Sequence, residues 1–437
     1  MGIRGEIVGA VDFGSREIRV VIARRDEDGV IQIIGHGCAP VLGSVAQGVV
    51  QDRAVAQGAL KRALNAAEKE ARTKAQILFV GIGGRNVETF IREGRVEIDR
   101  GVVDEEHLIR ARKNAANDID VPGKKVASSI TSQEWYVDDI KVLDPIGIRG
   151  EWLKTRVHFA RIPAVIVENL VGCILGLGRP VEGLVFQPLA SAMGCLTQED
   201  MELGVAMLDM GRNTTGLAVY RDHRILGTHC FEWGGYHITR DVAAGLQVSF
   251  EEADELCLTY GISRPLIQEE FGRKTADPDS EEPEPDHNKE STARIKLKTA
   301  VPGAPSIVDR RVLDLIIYER AKELMVKVRQ HLQSRGLLNN LVRGIVLTGG
   351  ASHIKNYVAL AEAVFQSTAR VGAPINMTIL PHQAARPEFS AAVGIVRHAY
   401  EYRAAVARGR LESGNFFRNV LMRLIRWAKR LWHNYFG

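Results

Sequence analysis

Apolar and polar positions alternate with a period of two at the start of the chain. The alternation covers residues 6–11, 18–24 and 30–37, with glycines at the turns between them, and it predicts a meander of three strands. Residues 52–72 then have the spacing of an alanine-rich amphipathic helix, and residues 76–80 form a buried strand pattern that ends in glycines. A meander followed by a helix and another strand predicts an α/β fold with a mixed sheet and a helical face.

The second half of the chain repeats this arrangement. Strand patterns at residues 203–208 and 216–220 flank a glycine turn in the same way that the first two strands flank Gly14. A long helix pattern over 309–334 then leads to another strand over 344–347. Two such halves in one chain predict an internal duplication.

Residues 86–162 have a different pattern of apolar and polar positions, and they separate the two halves. Short strand patterns surround one helix at 105–118, which we interpret as an inserted small α+β subdomain. The first pattern resumes with a helix over 164–177 and a strand over 183–186.

The segment from 271 to 294 has the composition of a loop rather than of a packed element. It contains three prolines, and seven acidic residues lie between 277 and 290 against one lysine. A segment that is so acidic and poor in aromatic residues predicts a disordered loop, which we place at 272–294.

Residues 416–437 have the pattern of an amphipathic helix that lies on a membrane surface. At 100° per residue, one side carries Phe417, Val420, Leu421, Leu424, Trp427, Ala428, Leu431, Trp432 and Tyr435. The other side carries Arg418, Arg423, Arg426, Lys429 and Arg430. Two tryptophans on the apolar side, five cations and no acid favour the interface of an anionic membrane. The alternative is a helix packed on the body of the protein or on a partner.

The charge of the chain is concentrated in this C-terminal segment. The formal charge of the 437 residues is +4, but residues 408–437 hold seven Lys or Arg and one Glu, so the remainder is about −2. The body therefore lacks the basic character of a nucleic-acid-binding protein. No P-loop motif and no GxSxG motif occurs in the chain, which argues against those two enzyme classes.

Three turns that follow predicted strands contain the candidate chemistry. The first has Asp12, Gly14, Ser15 and Arg16, and the second has Asp209, Gly211, Asn213, Thr214 and Thr215. Backbone N–H groups and hydroxyls of facing turns can bind phosphate oxygens, and Asp12 and Asp209 can hold a hydrated Mg²⁺. The third turn, with Gly349, Gly350, Ala351 and Ser352, has small residues on which a nucleoside can lie.

The order of these turns resembles that of the actin, Hsp70-chaperone and sugar-kinase superfamily. Within it the chain most resembles the FtsA family of bacterial cell-division proteins, over essentially its full length. The resemblance rests on the insert, on GIVLTGGA at 344–351, VGAPIN at 371–376 and SAAVG at 390–394, and on the basic amphipathic end. It implies an actin-like two-lobed ATPase fold with ATP in the cleft.

The resemblance also implies a division into lobes. The upper-lobe core is expected at 1–85 and 163–195, the insert at 86–162, and the lower-lobe core at 196–234 and 309–402. A smaller lower subdomain is expected at 235–308, a linker at 403–415 and the membrane-targeting helix at 416–437.

The nucleotide site departs from the family pattern at several positions. Arg212 and Asn213 replace two glycines of the second turn, and Glu17 replaces a basic residue of the first turn. Asp254 is a shortened counterpart of an acid that contacts the nucleoside in the family, and Cys257 replaces the lysine near it. The departures indicate weakened or altered binding of ATP and Mg²⁺; the alternative is compensated drift in a site that still binds ATP.

The function implied by the resemblance is that of an adaptor. Such a protein polymerises on the inner face of the cytoplasmic membrane at the division site, binds the C-terminal tail of the tubulin-like protein FtsZ and recruits later division proteins. It is at most a slow ATPase, with Asp209 as the candidate catalytic residue. Two alternatives stay open, an actin-like phosphotransferase and an assembly protein of a pilus or secretion system.

Overall fold

The computed structural model describes residues 6–26, 29–99, 101–117, 119, 123–272, 294–298, 306–375 and 377–408, with backbone alone for 125–133. Its larger strands form three sheets, and helices cover the two larger ones. The described strands are β1 (Ile7–Phe13), β2 (Glu17–Arg25), β3 (Ile31–Pro40), β4 (Val45–Ala46), β5 (Val49–Val50), β6 (Ile77–Ile82), β7 (Glu88–Glu97), β8 (Lys124–Val137), β9 (Ile140–Val142), β10 (Trp152–Pro163), β11 (Val181–Phe186), β12 (Val205–Met210), β13 (Thr215–Arg221), β14 (Arg224–Phe231), β15 (Arg294–Lys296), β16 (Ile307–Asp309), β17 (Ile345–Thr348), β18 (Ala369–Val371) and β19 (Thr378–Ile379).

The described α-helices are α1 (Arg53–Ala71), α2 (Glu105–Ala115), α3 (Ala164–Leu175), α4 (Gln187–Cys195), α5 (Gln198–Leu203), α6 (Gly235–Leu246), α7 (Phe250–Tyr260), α8 (Arg264–Phe271), α9 (Arg310–Ser334), α10 (Tyr357–Phe365) and α11 (Ser390–Ala407). The limits of α1 agree with the sequence pattern because both ends are capped. The Asp52 carboxylate accepts a hydrogen bond from the Val55 N–H, and Arg72 ends the helix in the left-handed conformation.

The six-stranded N-terminal sheet has the order β11-β6-β1-β2-β3-β19. The predicted meander is confirmed, since β1 pairs antiparallel with β2, and β2 with β3, while β6 lies parallel to β1. Helices α1 and α3 cover one face of this sheet and α11 covers the other. Burial on both faces explains why β1 is apolar along nearly its whole length.

The five-stranded second sheet repeats this topology in the order β14-β13-β12-β17-β18. β12 pairs antiparallel with β13 and parallel with β17, as β1 does with β2 and β6. Asp12 and Asp209 occupy the same place, the second-last residue of β1 and of β12. The predicted internal duplication is therefore confirmed, and it brings two acidic residues to equivalent positions.

The insert is a four-stranded sheet of order β7-β10-β8-β9 with α2 packed on it. The prediction of an α+β insert is confirmed, but the expectation of short strands is wrong, because β7, β8 and β10 contain 10, 14 and 12 residues. Charged residues interrupt the apolar alternation of β7, since part of its surface is exposed. Helix α2 ends at Ala115, three residues before the predicted end.

The insert is seated on β14, which is the edge strand of the second sheet. The Thr89 hydroxyl donates to the Thr228 carbonyl oxygen at 2.8 Å, and the His158 ring lies 2.9 Å from the Thr228 hydroxyl. The buried Glu134 carboxylate forms ion pairs with Arg156 and Arg224, each at 3.1 Å. These contacts cover an edge that would otherwise present unpaired backbone groups.

Residues 378–407 lie against the N-terminal sheet, so the predicted place of 378–402 in the lower lobe is wrong. β19 pairs with β3, and Ala392, Val396 and Tyr400 of α11 are packed in one core cluster with residues of β1 and β6. α11 continues to Ala407, beyond the expected linker start at 403, and its Arg403 forms ion pairs with Glu6 and Glu182. The helical period identified the buried side of this segment but not the sheet that buries it. The other predicted domain limits stay predictions.

Helices α4 and α11 join the two larger sheets by packing on each other at two glycines. A Cβ atom on Gly394 would lie 1.7 Å from the Ala190 carbonyl oxygen, and a Cβ on Gly194 would lie 2.1 Å from that of Ser390. α4 also packs on β12 and β13, whereas α11 packs on the N-terminal sheet. The helix backbones are therefore in direct contact where the two halves of the molecule meet.

Three predicted segments fall mainly or wholly outside the described residues. They are the acidic loop, apart from Gly272 and Arg294, the linker from 409 onward, and the amphipathic helix at 416–437. Within the part of the chain that is described, no helix is both long and apolar enough to cross a membrane.

We expect Gly394→Ala to lower the free energy of unfolding by about 1–3 kcal/mol or more, because the new methyl group has no space against the Ala190 backbone. The matched control is Gly58→Ala in α1, where the nearest atom to a Cβ is the flexible Arg62 guanidinium at 3.6 Å. That variant should gain up to about 1 kcal/mol from helix propensity. Thermal and urea unfolding of both variants measures the contrast, and equal stabilities would contradict the packing argument.

Candidate functional site

A cleft of about 600 Å³ lies between the N-terminal sheet and the second sheet. This volume is within the usual range for sites that bind small molecules. Of the predicted nucleotide-binding residues, those that line it are Asp12, Gly14, Ser15, Arg16, Asp209, Gly211, Thr214, Asp254, Gly349, Gly350 and Ala351. The structure thus brings together residues that are more than 300 positions apart in the sequence.

The floor of the cleft contains the two buried carboxylates, and α4 provides a donor to each. Gln187 Nε2 donates to Asp12 Oδ1 at 2.5 Å, and Ser191 Oγ donates to Asp209 Oδ2 at 2.5 Å. Gln187 and Ser191 are four residues apart, so they lie on the same face of the helix. One short helix therefore contacts an acidic residue of each sheet.

Both carboxyl groups have raised pKa values. Burial raises the pKa of Asp12, against the opposing effects of Arg19 and the Gln187 hydrogen bond. Burial also raises the pKa of Asp209 to about 6, and the negative charge of Asp12 adds to this, while the Ser191 hydrogen bond opposes it. A divalent cation or another positive group near the floor would favour the ionised forms of both.

The two predicted phosphate turns are closed by equivalent hydrogen bonds. The Gly14 N–H donates to the Glu17 carbonyl oxygen at 3.1 Å, and the Gly211 N–H donates to that of Thr214 at 2.9 Å. Neither Arg212 nor Asn213 has a positive φ, so the second turn forms without the conformation that only glycine adopts easily. The replacement of two glycines therefore places no backbone strain on this turn.

Three predicted residues do not line the cleft. The Thr215 hydroxyl is buried and donates to the Trp233 carbonyl oxygen at 2.8 Å, because Thr215 begins β13. Ser352 is also buried, and its hydroxyl donates to the Gly349 carbonyl oxygen at 2.7 Å. Asn213 lies at the turn but outside the cleft lining.

The third turn requires glycine at its first position. Gly349 has a φ of +81°, and a Cβ there would lie 2.4 Å from Asp209 Oδ1. The turn thus packs directly against the floor carboxylate. At Gly350 a Cβ would meet no atom within 4 Å, so the cleft is open beside this residue.

Charged side chains meet at the mouth of the cleft. Arg16 Nη1 lies 3.1 Å and Arg212 Nη1 3.3 Å from the same oxygen, Oδ2 of Asp254. The Thr239 hydroxyl donates to the other oxygen, Oδ1, at 2.6 Å. The remaining departures also line the cleft, with Glu17 paired to Arg19 at 3.2 Å and Cys257 on the same helix as Asp254.

Several cleft residues were missed by the sequence reasoning. Gln187 directly follows a buried strand and precedes Pro188 at the first turn of α4, and this polar residue at a strand end was a usable signal. Arg386 and Glu388 enter the cleft from the segment after β19, where no local pattern marks them. Within the described ranges, no group of three or more His, Cys, Asp or Glu side chains is arranged to hold a metal ion.

Two family models match the chain. One, described as cell division protein FtsA, matches residues 206–394, and the other, described as the SHS2 domain inserted in FTSA, matches residues 84–160. The second match coincides with the insert sheet and α2.

Relatives with the same name match nearly the whole chain. Cell division protein FtsA of Neisseria meningitidis serogroup B is 30% identical over 431 residues, which cover 97% of this chain and 98% of the relative. Cell division protein FtsA of Escherichia coli K12 is 25% identical over 404 residues, which cover 91% of each chain.

Solved structures with the same fold include actin-like proteins. The PilM–PilN type IV pilus biogenesis complex gives a TM-score of 0.60 at 17% identity, covering 90% of this chain and 98% of the matched chain. MreB5 of Spiroplasma citri bound to ADP gives 0.53 at 11% identity, covering 92% and 98%. At these identities the likeness establishes the actin-like fold.

We expect Asp209→Asn to stabilise the ligand-free protein at pH 7.5 by roughly 1–3 kcal/mol. The raised pKa of Asp209 means that the folded protein binds more protons than the unfolded chain between about pH 4 and 6. The contribution of Asp209 to stability therefore falls as the pH rises through that window, and Asn removes this loss. Melting temperatures at pH 5 and 7.5 measure the effect, which should be larger at pH 7.5.

The matched control is Asp200→Asn, which should have the opposite sign. Burial acts to raise the pKa of Asp200, but the Thr197 N–H, Arg370 and Arg343 together lower it, so its ionised form stabilises the fold above about pH 4. Asp200→Asn should therefore destabilise the protein at pH 7.5. A loss of stability in both variants would contradict the conclusion that the ionised Asp209 carboxylate destabilises the folded protein.

Proposed function

Since the chain belongs to the FtsA family of cell-division proteins, we propose that it polymerises on the inner face of the cytoplasmic membrane at the division site. There it tethers FtsZ through the FtsZ C-terminal tail and recruits later division proteins. The family assignment makes it an actin-like cell-division protein. The observation that carries the fuller proposal is the match to FtsA along almost the entire chain, with the insert in its place.

The proposed membrane anchor is the amphipathic pattern at 416–437. Its two tryptophans and five cations give a modest, reversible affinity for anionic lipid. Polymerisation would link many such anchors, and each further anchor then binds at a high effective concentration. Filament formation and membrane attachment therefore reinforce each other, which suits a protein that works at one site in the cell.

We assign the cleft to a nucleotide, with ATP and a hydrated Mg²⁺ as the proposed ligands. The actin-like fold, the duplicated turns and the two floor carboxylates support this assignment, and the MreB5 neighbours were solved with ADP and with AMPPNP. Asp12 and Asp209 would hold the ion through water, which suits a site with two carboxylates. The turns at Gly14, Gly211 and Gly349 would contact the nucleotide.

A pilus or phosphotransferase role has less support. The likeness to PilM is 17% in sequence and extends to the fold alone, whereas the relatives named FtsA share the insert as well. Binding to FtsZ distinguishes the cell-division role from an assembly role in a pilus or secretion system. A phosphotransferase role would require a phosphoryl acceptor.

We expect the full chain to carry FtsZ onto anionic vesicles in co-sedimentation, and a chain truncated after Gly414 to leave FtsZ in the supernatant. In the full chain, Trp427→Glu combined with Trp432→Glu should abolish vesicle binding, because two charges would have to enter the apolar part of the interface.

The matched control replaces the same two residues by Phe, which keeps an apolar aromatic side chain at both positions. This variant should pellet with vesicles nearly as well as the parent chain. If the Glu variant pellets as well as the Phe variant, the segment contacts protein rather than lipid. If the full chain binds vesicles but leaves FtsZ behind, the tether proposal is wrong.

We expect any ATP hydrolysis to be slow, far below the roughly 10 per second that is typical of enzymes. Arg212 occupies the second phosphate turn, where a close cradle for the transition state would be needed. Phosphate release at saturating ATP and Mg²⁺ measures the rate, with Asp209→Asn as the control for contaminating ATPase. A rate of 10 per second or more that Asp209→Asn abolishes would contradict an adaptor role.

A further inference from the structure

The feature that points beyond the family pattern is the set of Arg16, Asp254 and Arg212, which we call the clasp. It joins the two sides of the cleft, because Arg16 lies in the β1–β2 turn of the N-terminal sheet. Asp254 lies on α7 and Arg212 in the β12–β13 turn, both on the side of the second sheet. All three residues line the cleft.

The two guanidinium groups converge on a single point. Their Nη1 atoms lie 3.1 and 3.3 Å from the same atom, Asp254 Oδ2. A phosphate oxygen at that point would receive both donors, and guanidinium groups bind phosphate and carboxylate oxygens in the same way. The Asp254 carboxylate thus occupies a site whose donors suit an oxyanion.

The arginines have little else to neutralise them. Among the described residues, Asp254 is the one carboxylate with which either of them forms an ion pair. Arg212 also lies 5.3 Å from the centre of the Tyr236 ring, which steadies its orientation without removing its charge. By contrast, the neighbouring Arg19 is paired with Glu17.

Exchange of the carboxylate for another anion would be easy. Arg16 is 57% exposed, and Asp254 and Arg212 are 23% and 27% exposed, so water screens these ion pairs. Asp254 would keep the Thr239 hydrogen bond at its other oxygen after losing both arginines. Neither partner would be left buried without a contact.

We propose that Arg16 and Arg212 are the phosphate-binding cations of the cleft. The Asp254 carboxylate forms ion pairs with both arginines until a polyphosphate displaces it. The inference rests on the proposed assignment of the cleft to a nucleotide. It gives the replacement of glycine by Arg212 a positive role, since the arginine supplies a charge that the glycine turn lacks. The clasp contacts are then a closed state of the cleft that polyphosphate binding opens.

The test is isothermal titration calorimetry of the full chain with tripolyphosphate, in a buffer that contains EDTA. This probe has no ribose and the solution has no divalent metal, so phosphate contacts alone are measured. Asp254→Asn removes the competing charge and should tighten binding by about fivefold. Arg212→Ala should weaken binding by about tenfold or more, and Arg16→Ala by a smaller factor, because Arg16 is more exposed.

Two controls separate the clasp from a general charge effect. Glu255→Gln makes the same change in net charge one residue away, where Glu255 is paired with Lys298 and does not line the cleft. It should leave the affinity unchanged within twofold. In a chain that carries both Arg16→Ala and Arg212→Ala, Asp254→Asn should no longer tighten tripolyphosphate binding, because the carboxylate then has no arginine with which to form an ion pair. Melting temperatures confirm that each variant is folded.

The outcomes distinguish the inference from the assignment on which it rests. If the parent chain binds ATP but Asp254→Asn fails to tighten tripolyphosphate binding, or tightens it equally without the arginines, the clasp proposal is wrong. Binding of tripolyphosphate that requires Mg²⁺ also overturns it. If neither tripolyphosphate nor ATP with Mg²⁺ binds to any variant, the nucleotide assignment of the cleft fails as well.

Discussion

The crossing of α4 and α11 is the contact on which the rest of the structure depends. Each helix has a glycine where the backbone of the other passes, so neither position accepts a larger residue without a shift of backbone. α4 follows β11 of the N-terminal sheet directly and also packs on the second sheet, while α11 packs on the N-terminal sheet. α4 and its crossing with α11 therefore fix together how the two halves meet. The cleft lies beside it, lined by Gln187 from one helix and Ala391 from the other.

α4 also couples the relative position of the two sheets to the hydrogen bonds of the buried carboxylates at the cleft floor. Gln187 and Ser191 of α4 hydrogen-bond to Asp12 and Asp209, which belong to different sheets. A rotation of one half relative to the other must lengthen at least one of these bonds, and a buried carboxylate that loses its donor is costly. Ligands at the floor and the angle between the lobes are therefore coupled through a helix of nine residues.

The sequence predicts the local elements of this fold well, because strand alternation, helix caps and glycine turns are properties of neighbouring residues. The limits of α1 and the repeated strand–turn pairs agree with the structure for this reason. The crossing could not be predicted, since Gly194 and Gly394 are 200 positions apart and nothing in the SAAVG stretch that ends at Gly394 indicates which helix it contacts. The same holds for α11, whose period identifies a buried side but not the sheet that covers it. Arg16 and Asp254 are likewise a pair that only the fold brings together.

The cleft combines a floor that the fold constrains with a mouth that it leaves free to vary. Asp12 and Asp209 are hydrogen-bonded to α4, and Gly349 packs directly on Asp209, so a larger side chain at any of the three has no space. Arg212, in contrast, extends from a turn whose closing hydrogen bond survives the loss of two glycines. The charged departures Glu17, Arg212 and Asp254 are thus partly exposed, whereas Cys257 is buried. Such a site can change how it binds phosphate while the actin-like framework stays the same, because the fold does not by itself determine the chemistry of the site that it holds.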